Sequence, residues 1–267
     1  MASGAIWTAY LLGRGALVSG GSIANLTALT VARDQMLDDN TRAQGVAYIS
    51  DQTHFCVPKA LYIIGFLKTQ IRVILTDDNF RMDLTHLQDT IKADLNAGLH
   101  PFLVVATCGT TNTGTVDPLH GIADIAHTQR IWVHVDGAYG ASAAFCKTHR
   151  SLVDGLGRAD SIAWDMHKWL FQTNGCSAVL FRNRNHPLKS FAATAGYVQD
   201  IDETPPTVET TELRNPWNYG IELTKPARHM KLWFTLQVLG LDMIDRMITH
   251  GFHLTKLAQS HIRTLPD

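Results

Sequence analysis

Two residues of this 267-residue chain hold most of its chemical promise: Lys168, set between His167 and Trp169 in Asp-Met-His-Lys-Trp, and Asp136, just past the apolar run Ile131–Val135. A lysine among imidazole and aromatic neighbours is a candidate for imine formation with a carbonyl compound. An acid at the carboxyl end of a buried strand sits where open α/β sheets place ligands. It is costly to bury there unless a cation or a hydrogen-bond donor meets it. Alone, the lysine reads as a solvated surface charge and the acid as a turn cap. Together, at the ends of separate strands, one could bond an aldehyde while the other holds a ring nitrogen protonated.

Anion-binding positions accompany them. Ser19-Gly20-Gly21-Ser22 leads directly into a helical stretch, Ile23 to Leu37. Glycines let backbone approach an anion, and a helix start offers free N–H groups and positive dipole. Gly109-Thr110-Thr111 follows the apolar run Phe102–Thr107, and either glycine segment alone is as well read as a turn. His54 ends Asp51-Gln-Thr-His after Val46–Ser50, at the same expected sheet edge, from which it could stack on a flat heteroaromatic ring. A lysine, an acid and a phosphate cradle are what pyridoxal phosphate requires of a protein.

The positioning elements follow from hydrophobic patterning. Val46–Ser50, Ile71–Leu75, Phe102–Thr107, Ile131–Val135, Ser161–Trp164 and Ser177–Phe181 read as buried strands. Leu84, Leu87, Ile91 and Leu95 recur at helical spacing behind an Asp83 N-cap. Asp117-Pro118 reads as the capping acid and first-turn proline of another helix, with Leu119, Ile122 and Ile125 on its apolar face. This alternation predicts an α/β domain, a mainly parallel sheet with helices on both faces. The acidic, proline-containing segment from Asp200 to Leu213 reads as a long exposed loop. Two helices follow, one with Met230, Trp233, Phe234 and Val238 on a common face, the next from about Leu241 to Ile262.

Bulk properties narrow the class. Apolar residues make up 45%, charged residues 18%, and the formal charge is −1, which fits a soluble enzyme without the basic surplus of a nucleic-acid or anionic-membrane binder. Cys56, Cys108, Cys146 and Cys176 form no C-x-x-C pair, which argues against a zinc ribbon or disulfide framework, suits a reducing cytoplasm and leaves no metal site expected. No apolar run reaches the roughly 18 residues of a membrane span. The fairly apolar stretch Ala5–Val18 contains Arg14 and lacks a basic lead-in, so it does not read as a signal peptide.

Six segments in order, SGGSIANLTALTVARD (19–34), SDQTH (50–54), VVATCGTTNTGTVDP (104–118), HVDGAYG (134–140), ADSIAWDMHKW (159–169) and LTKPARHMKLW (223–233), resemble the group II pyridoxal-phosphate-dependent amino-acid decarboxylases of fold type I, relatives of the aromatic-amino-acid, histidine and glutamate decarboxylases. Ile23 and Gly137 stand where many relatives have Glu and Ala. The resemblance implies that Gly21 and Ser22 contact the cofactor phosphate, with Asp165 close by and Thr111 beside the cofactor. It implies that His54 stacks on the ring, Ala138 packs beneath it, Asp136 pairs with its nitrogen, and Lys168, next to His167, forms the Schiff base. Tyr197 falls where related decarboxylases carry a tyrosine that protonates the substrate carbon.

The same resemblance implies loss of carbon dioxide from an L-amino acid to leave an amine. It also implies a homodimer, and a chain truncated at both ends relative to the family. Residues 1–217 are then expected to form the cofactor-binding large domain, with a mobile loop over about 194–216, and residues 218–267 the linking helices and the start of a small C-terminal domain. Two other readings compete. One is a different fold-type-I enzyme, a carbon–carbon lyase or an aminotransferase with Arg228 on the substrate carboxylate. The other is a catalytically silent fragment that binds the cofactor or a partner subunit.

Overall fold

The computed structural model describes residues 15–192 and 216–265. Its centre is a seven-stranded sheet: β1 (Gly15–Val18), β2 (Gly45–Ser50), β3 (Ile71–Ile74), β4 (His100–Thr107), β5 (Trp132–Asp136), β6 (Ser161–Asp165) and β7 (Ser177–Phe181), in spatial order β1-β7-β6-β5-β4-β2-β3. From β3 to β6 the pairing is parallel, and β7 runs antiparallel to both of its neighbours.

Six strands lie where hydrophobic runs predict them; β1 does not. It occupies the end of the apolar stretch Ala5–Val18, and its four residues pair Gly15 with Leu180 and Val18 with Ser177 at the edge of the sheet. So short a segment, alternately buried and half-buried, offers too few positions for a period-2 pattern to stand out.

Strand parity divides the core in two. Trp132, on β5, and Ala163, on β6, point to one face, where they join Ala24, Ala28 and Val31 of helix α1 (Gly21–Met36) and Val57 and Leu61 of α2 (Cys56–Ile63). Val133, Val135, Ile162 and Trp164 point to the other, against Leu87 and Ile91 of α3 (Leu84–Asn96) and Leu119 and Ile122 of α4 (Leu119–Thr128). A sheet covered on both faces by helices is what continuous apolar strands require.

Asp83 caps α3 as expected, accepting from the N–H groups of Thr85 and His86. Asp117 does not cap α4. Its carboxylate turns inward and accepts from Met82 N at 2.8 Å and Thr107 N at 2.7 Å, tying the end of β4 to the segment before α3. An acid before Pro118 reads as a cap in sequence, but two unpaired backbone donors inside the fold compete for it more strongly.

After α5 (His186–Phe191), the long helix α6 (Arg228–Ile262) consists of two helical pieces joined at Gly240, whose φ of 70° few residues with a Cβ adopt. Ile244 and Ile248 of the second piece enter the core of the α3/α4 face. Met230, Trp233, Phe234 and Val238 of the first piece are exposed. Tyr197 and the proposed loop over 194–216 lie outside the described residues, apart from Pro216.

Candidate active site

The strand order reverses between β2 and β4, because the chain leaves β2 for β3 on one side and returns to β4 on the other. Ligands collect at the carboxyl edge beside such a reversal. A cavity of about 620 Å³ opens there, lined by the first turn of α1, by His54 after β2, by Thr107, Gly109 and Thr111 at the end of β4, by Asp136 and Ala138 at the end of β5, and by Asp165, His167 and Lys168 at the end of β6. That volume suits a small-molecule cofactor. Of the sequence-predicted residues, Gly21, Ser22, His54, Thr111, Asp136, Ala138, Asp165, His167 and Lys168 all line it.

Asp136 is buried at the cavity floor. Its Oδ1 accepts from Ala138 N at 3.1 Å and its Oδ2 from Asn25 Nδ2 at 3.2 Å. Burial pushes this carboxyl above its ordinary range, against the opposing pull of the Ala138 N–H and the Lys168 charge. A cationic nitrogen arriving in the cavity would relieve that cost.

Lys168 Nζ lies 3.1 Å from Asp165 Oδ2, while Asp165 Oδ1 accepts from Ser177 Oγ at 2.5 Å. His167 approaches the same oxygen of this acid, its Nε2 3.8 Å from Asp165 Oδ2 and its Nδ1 accepting from Cys176 N at 3.2 Å. His54 is half-buried, with Nδ1 accepting from Cys56 N at 3.3 Å and its ring against Phe55.

Helix α1 begins without a side-chain cap and without an acid in its first turn. Its first-turn residues Gly21 and Ser22 line the cavity with no cap from their own helix, as an anion site requires. Thr107 Oγ1, also on the cavity wall, is a buried hydroxyl without a hydrogen-bond partner. An uncapped helix start, an orphaned hydroxyl, a buried acid and a lysine around one cavity fit a phosphorylated heteroaromatic aldehyde.

Several residues in or behind the cavity wall carry no role in the motif reading. Asn25 follows Gly21 by one helical turn and reaches Asp136; His134 precedes Asp136 by two and shares its face of β5. Helical and strand periodicity, applied outward from Gly21 and Asp136, would have found both. Cys56 also lines the cavity, its thiol pushed up to about 12 by burial and by the neighbouring Asp136. Arg228, the candidate for a retained substrate carboxylate, is instead mostly buried beside Glu222 with NH2 3.5 Å from Oε1, and does not line the cavity. Among the described residues no group of three or more His, Cys, Asp or Glu could hold a metal ion, and no helix is long and apolar enough to cross a membrane.

Residues 4–267 match the family model described as the pyridoxal-dependent decarboxylase conserved domain. An aromatic-L-amino-acid decarboxylase of Bacillus atrophaeus is 38% identical over 98% of this chain and 54% of its own length. A 4-hydroxyphenylacetaldehyde synthase of Rhodiola rosea is 33% identical over 89% of this chain and 47% of its own. Among solved structures, mouse CSAD in apo form superposes with a TM-score of 0.87 at 30% identity, covering 99% of this chain and 55% of that one. The chain spans about half the length of the curated relatives it matches.

Proposed function

As this chain belongs to the pyridoxal-dependent decarboxylase family, we propose that it holds pyridoxal phosphate on Lys168 and serves the decarboxylation of an L-amino acid to the corresponding amine. The observation that carries the reading is the meeting of Lys168 Nζ and the buried Asp136 carboxylate in one cavity with the uncapped start of α1. Bound there, the cofactor supplies an electron sink for the pair left behind when carbon dioxide departs.

The protein's part is binding, orientation and proton placement. Lys168 Nζ is the nucleophile that holds the cofactor aldehyde and yields it to a substrate amine. Asp136 would keep the ring nitrogen protonated, and His54 and Ala138 would pack against the ring. Gly21 and Ser22 present backbone N–H groups to the phosphate, with Thr111 alongside and Asp165 and His167 setting the charge around the lysine. Tyr197, outside the described residues, delivers the proton to the substrate carbon after carboxylate loss, with His54 or a water as the other donors.

Residues 1–217 form the cofactor-binding unit in this reading, and residues 218–267 lead out of it. In this reading the active assembly is a homodimer working in the cytoplasm, and the dimer is supported by the exposed Trp233, Phe234 and Val238, which leave an apolar face to cover. Carbon dioxide release from a panel of L-amino acids, by this chain and by a form extended at both termini, tests the activity. Release by the extended form alone assigns the short chain a cofactor-binding role; release by neither overturns the decarboxylase reading.

A further inference from the structure

Behind the cavity floor, on the α1 face of the sheet, a line of buried polar side chains ends at Asp136. Trp132, His134 and Asp136 occupy alternate positions of β5, and His134 pairs in register with Ser161 of β6. Trp132 Nε1 donates to Ser161 Oγ at 2.9 Å. Ser161 Oγ lies 2.9 Å from His134 Nδ1, and His134 Nε2 lies 2.7 Å from Asn25 Oδ1. The Asn25 amide then donates from Nδ2 to Asp136 Oδ2, and weakly to Cys56 Sγ at 3.4 Å.

The direction of this line follows from its members. An indole N–H can only donate, so Ser161 Oγ accepts from Trp132, and the hydroxyl's own proton finds its acceptor among the described contacts in His134 Nδ1. That leaves the neutral imidazole protonated on Nε2, where it donates to Asn25 Oδ1. Asn25 is thereby turned with its two donors toward Asp136 and Cys56. The reverse arrangement would protonate His134 on Nδ1, leave the Ser161 hydroxyl proton without an acceptor among the described contacts, and point Asn25 Oδ1 at Asp136 Oδ2. Two oxygens at that distance are tolerated only if Asp136 carries a proton. Burial holds His134 neutral, pushing its imidazole down to about 3.

We propose that His134 is a positioning residue: protonated on Nε2, it orients Asn25 so that Asp136 is met by a donor and is held as an ionised acceptor for the cofactor's ring nitrogen. The last clause rests on the cofactor reading above; the orientation itself does not. The groups that face Asp136 from neighbouring elements are Asp165 at the end of β6, Lys168 just beyond it, Cys56 on α2 and Cys108 after β4. All of them are retained when only His134 is changed.

The test is NMR on the whole chain without cofactor. Histidine 15N shifts report the His134 tautomer, and the Asp136 13C carboxyl shift reports its ionisation in wild type, His134→Phe and His134→Gln. The expected result is Nε2 protonation in wild type and an Asp136 midpoint about one pH unit higher in His134→Phe, a tenfold gain in proton affinity. His134→Gln, whose amide can both accept from Ser161 and donate to Asn25, should return it to within about half a unit. An Nδ1-protonated His134, or a folded His134→Phe with an unmoved midpoint, overturns the proposal. If His134→Phe does not fold, the wild-type tautomer and His134→Gln decide. Titration of the same proteins with pyridoxal phosphate is read separately: wild type that fails to bind it defeats the cofactor reading while the NMR result stands.

Discussion

Gly21 and Asp165 touch across the gap between the first turn of α1 and the end of β6: a Cβ on Gly21 would stand 2.7 Å from Asp165 Oδ2. That acid is itself pinned by Ser177 and Lys168, so it has no free direction in which to retreat. The contact couples the uncapped start of α1 to the acid that meets the lysine.

Gly21→Ala should therefore cost about 1–3 kcal/mol of folding stability, the usual range for overpacking a close contact. Cofactor affinity should fall with it, because the α1 turn and Asp165 are forced apart. Denaturant unfolding and a pyridoxal phosphate titration measure the two effects. Unchanged values for both would mean that the acid yields freely and the coupling is absent.

Asp136 gives a pH signature. Burial raises its carboxyl above the ordinary value, so the folded chain binds this proton more tightly than the unfolded one. Unfolding then releases a proton between the two values. Its contribution to stability is full below the ordinary carboxylate range and is lost as pH rises through the folded-state value. In cofactor-free protein, Asp136→Asn should flatten the decline in stability on the alkaline side of the ordinary carboxylate value. Urea midpoints measured across pH check this, and slopes identical to wild type would contradict it.

Much of this site was legible without coordinates, for a physical reason. Strands buried on both faces are written as unbroken apolar runs, and Asp136, Lys168 and His54 stand within four residues of the ends of three of them. What could not be read was partner choice among polar residues. Asp117 before a proline looks like a helix cap, yet it serves Met82 and Thr107 instead. Asn25 and His134 lie inside an apolar helix and strand, where composition hides them; only the contacts with Asp136 and Ser161 give them a role. The edge strand β1 was missed because its pattern is four residues long.

Tyr197→Phe separates cofactor binding from proton delivery. If the phenol protonates the substrate carbon, the variant should bind pyridoxal phosphate as wild type does. It should lose roughly 10²-fold or more of its amine formation, the usual worth of a positioned acid. Amine yield is compared with total carbon dioxide and with side products, in the form of the protein that shows turnover. Full-rate amine formation without added side products would remove Tyr197 from the mechanism.

The central claim is that Lys168 carries the cofactor, and visible absorption tests it most directly. Purified chain given pyridoxal phosphate should develop the band of a lysine-bound cofactor, retained through desalting and trapped on Lys168 by borohydride reduction and peptide mapping. Lys168→Ala should show neither band nor label while keeping the wild-type fold. Absence of the band in wild type, or a label on another lysine, would contradict the account.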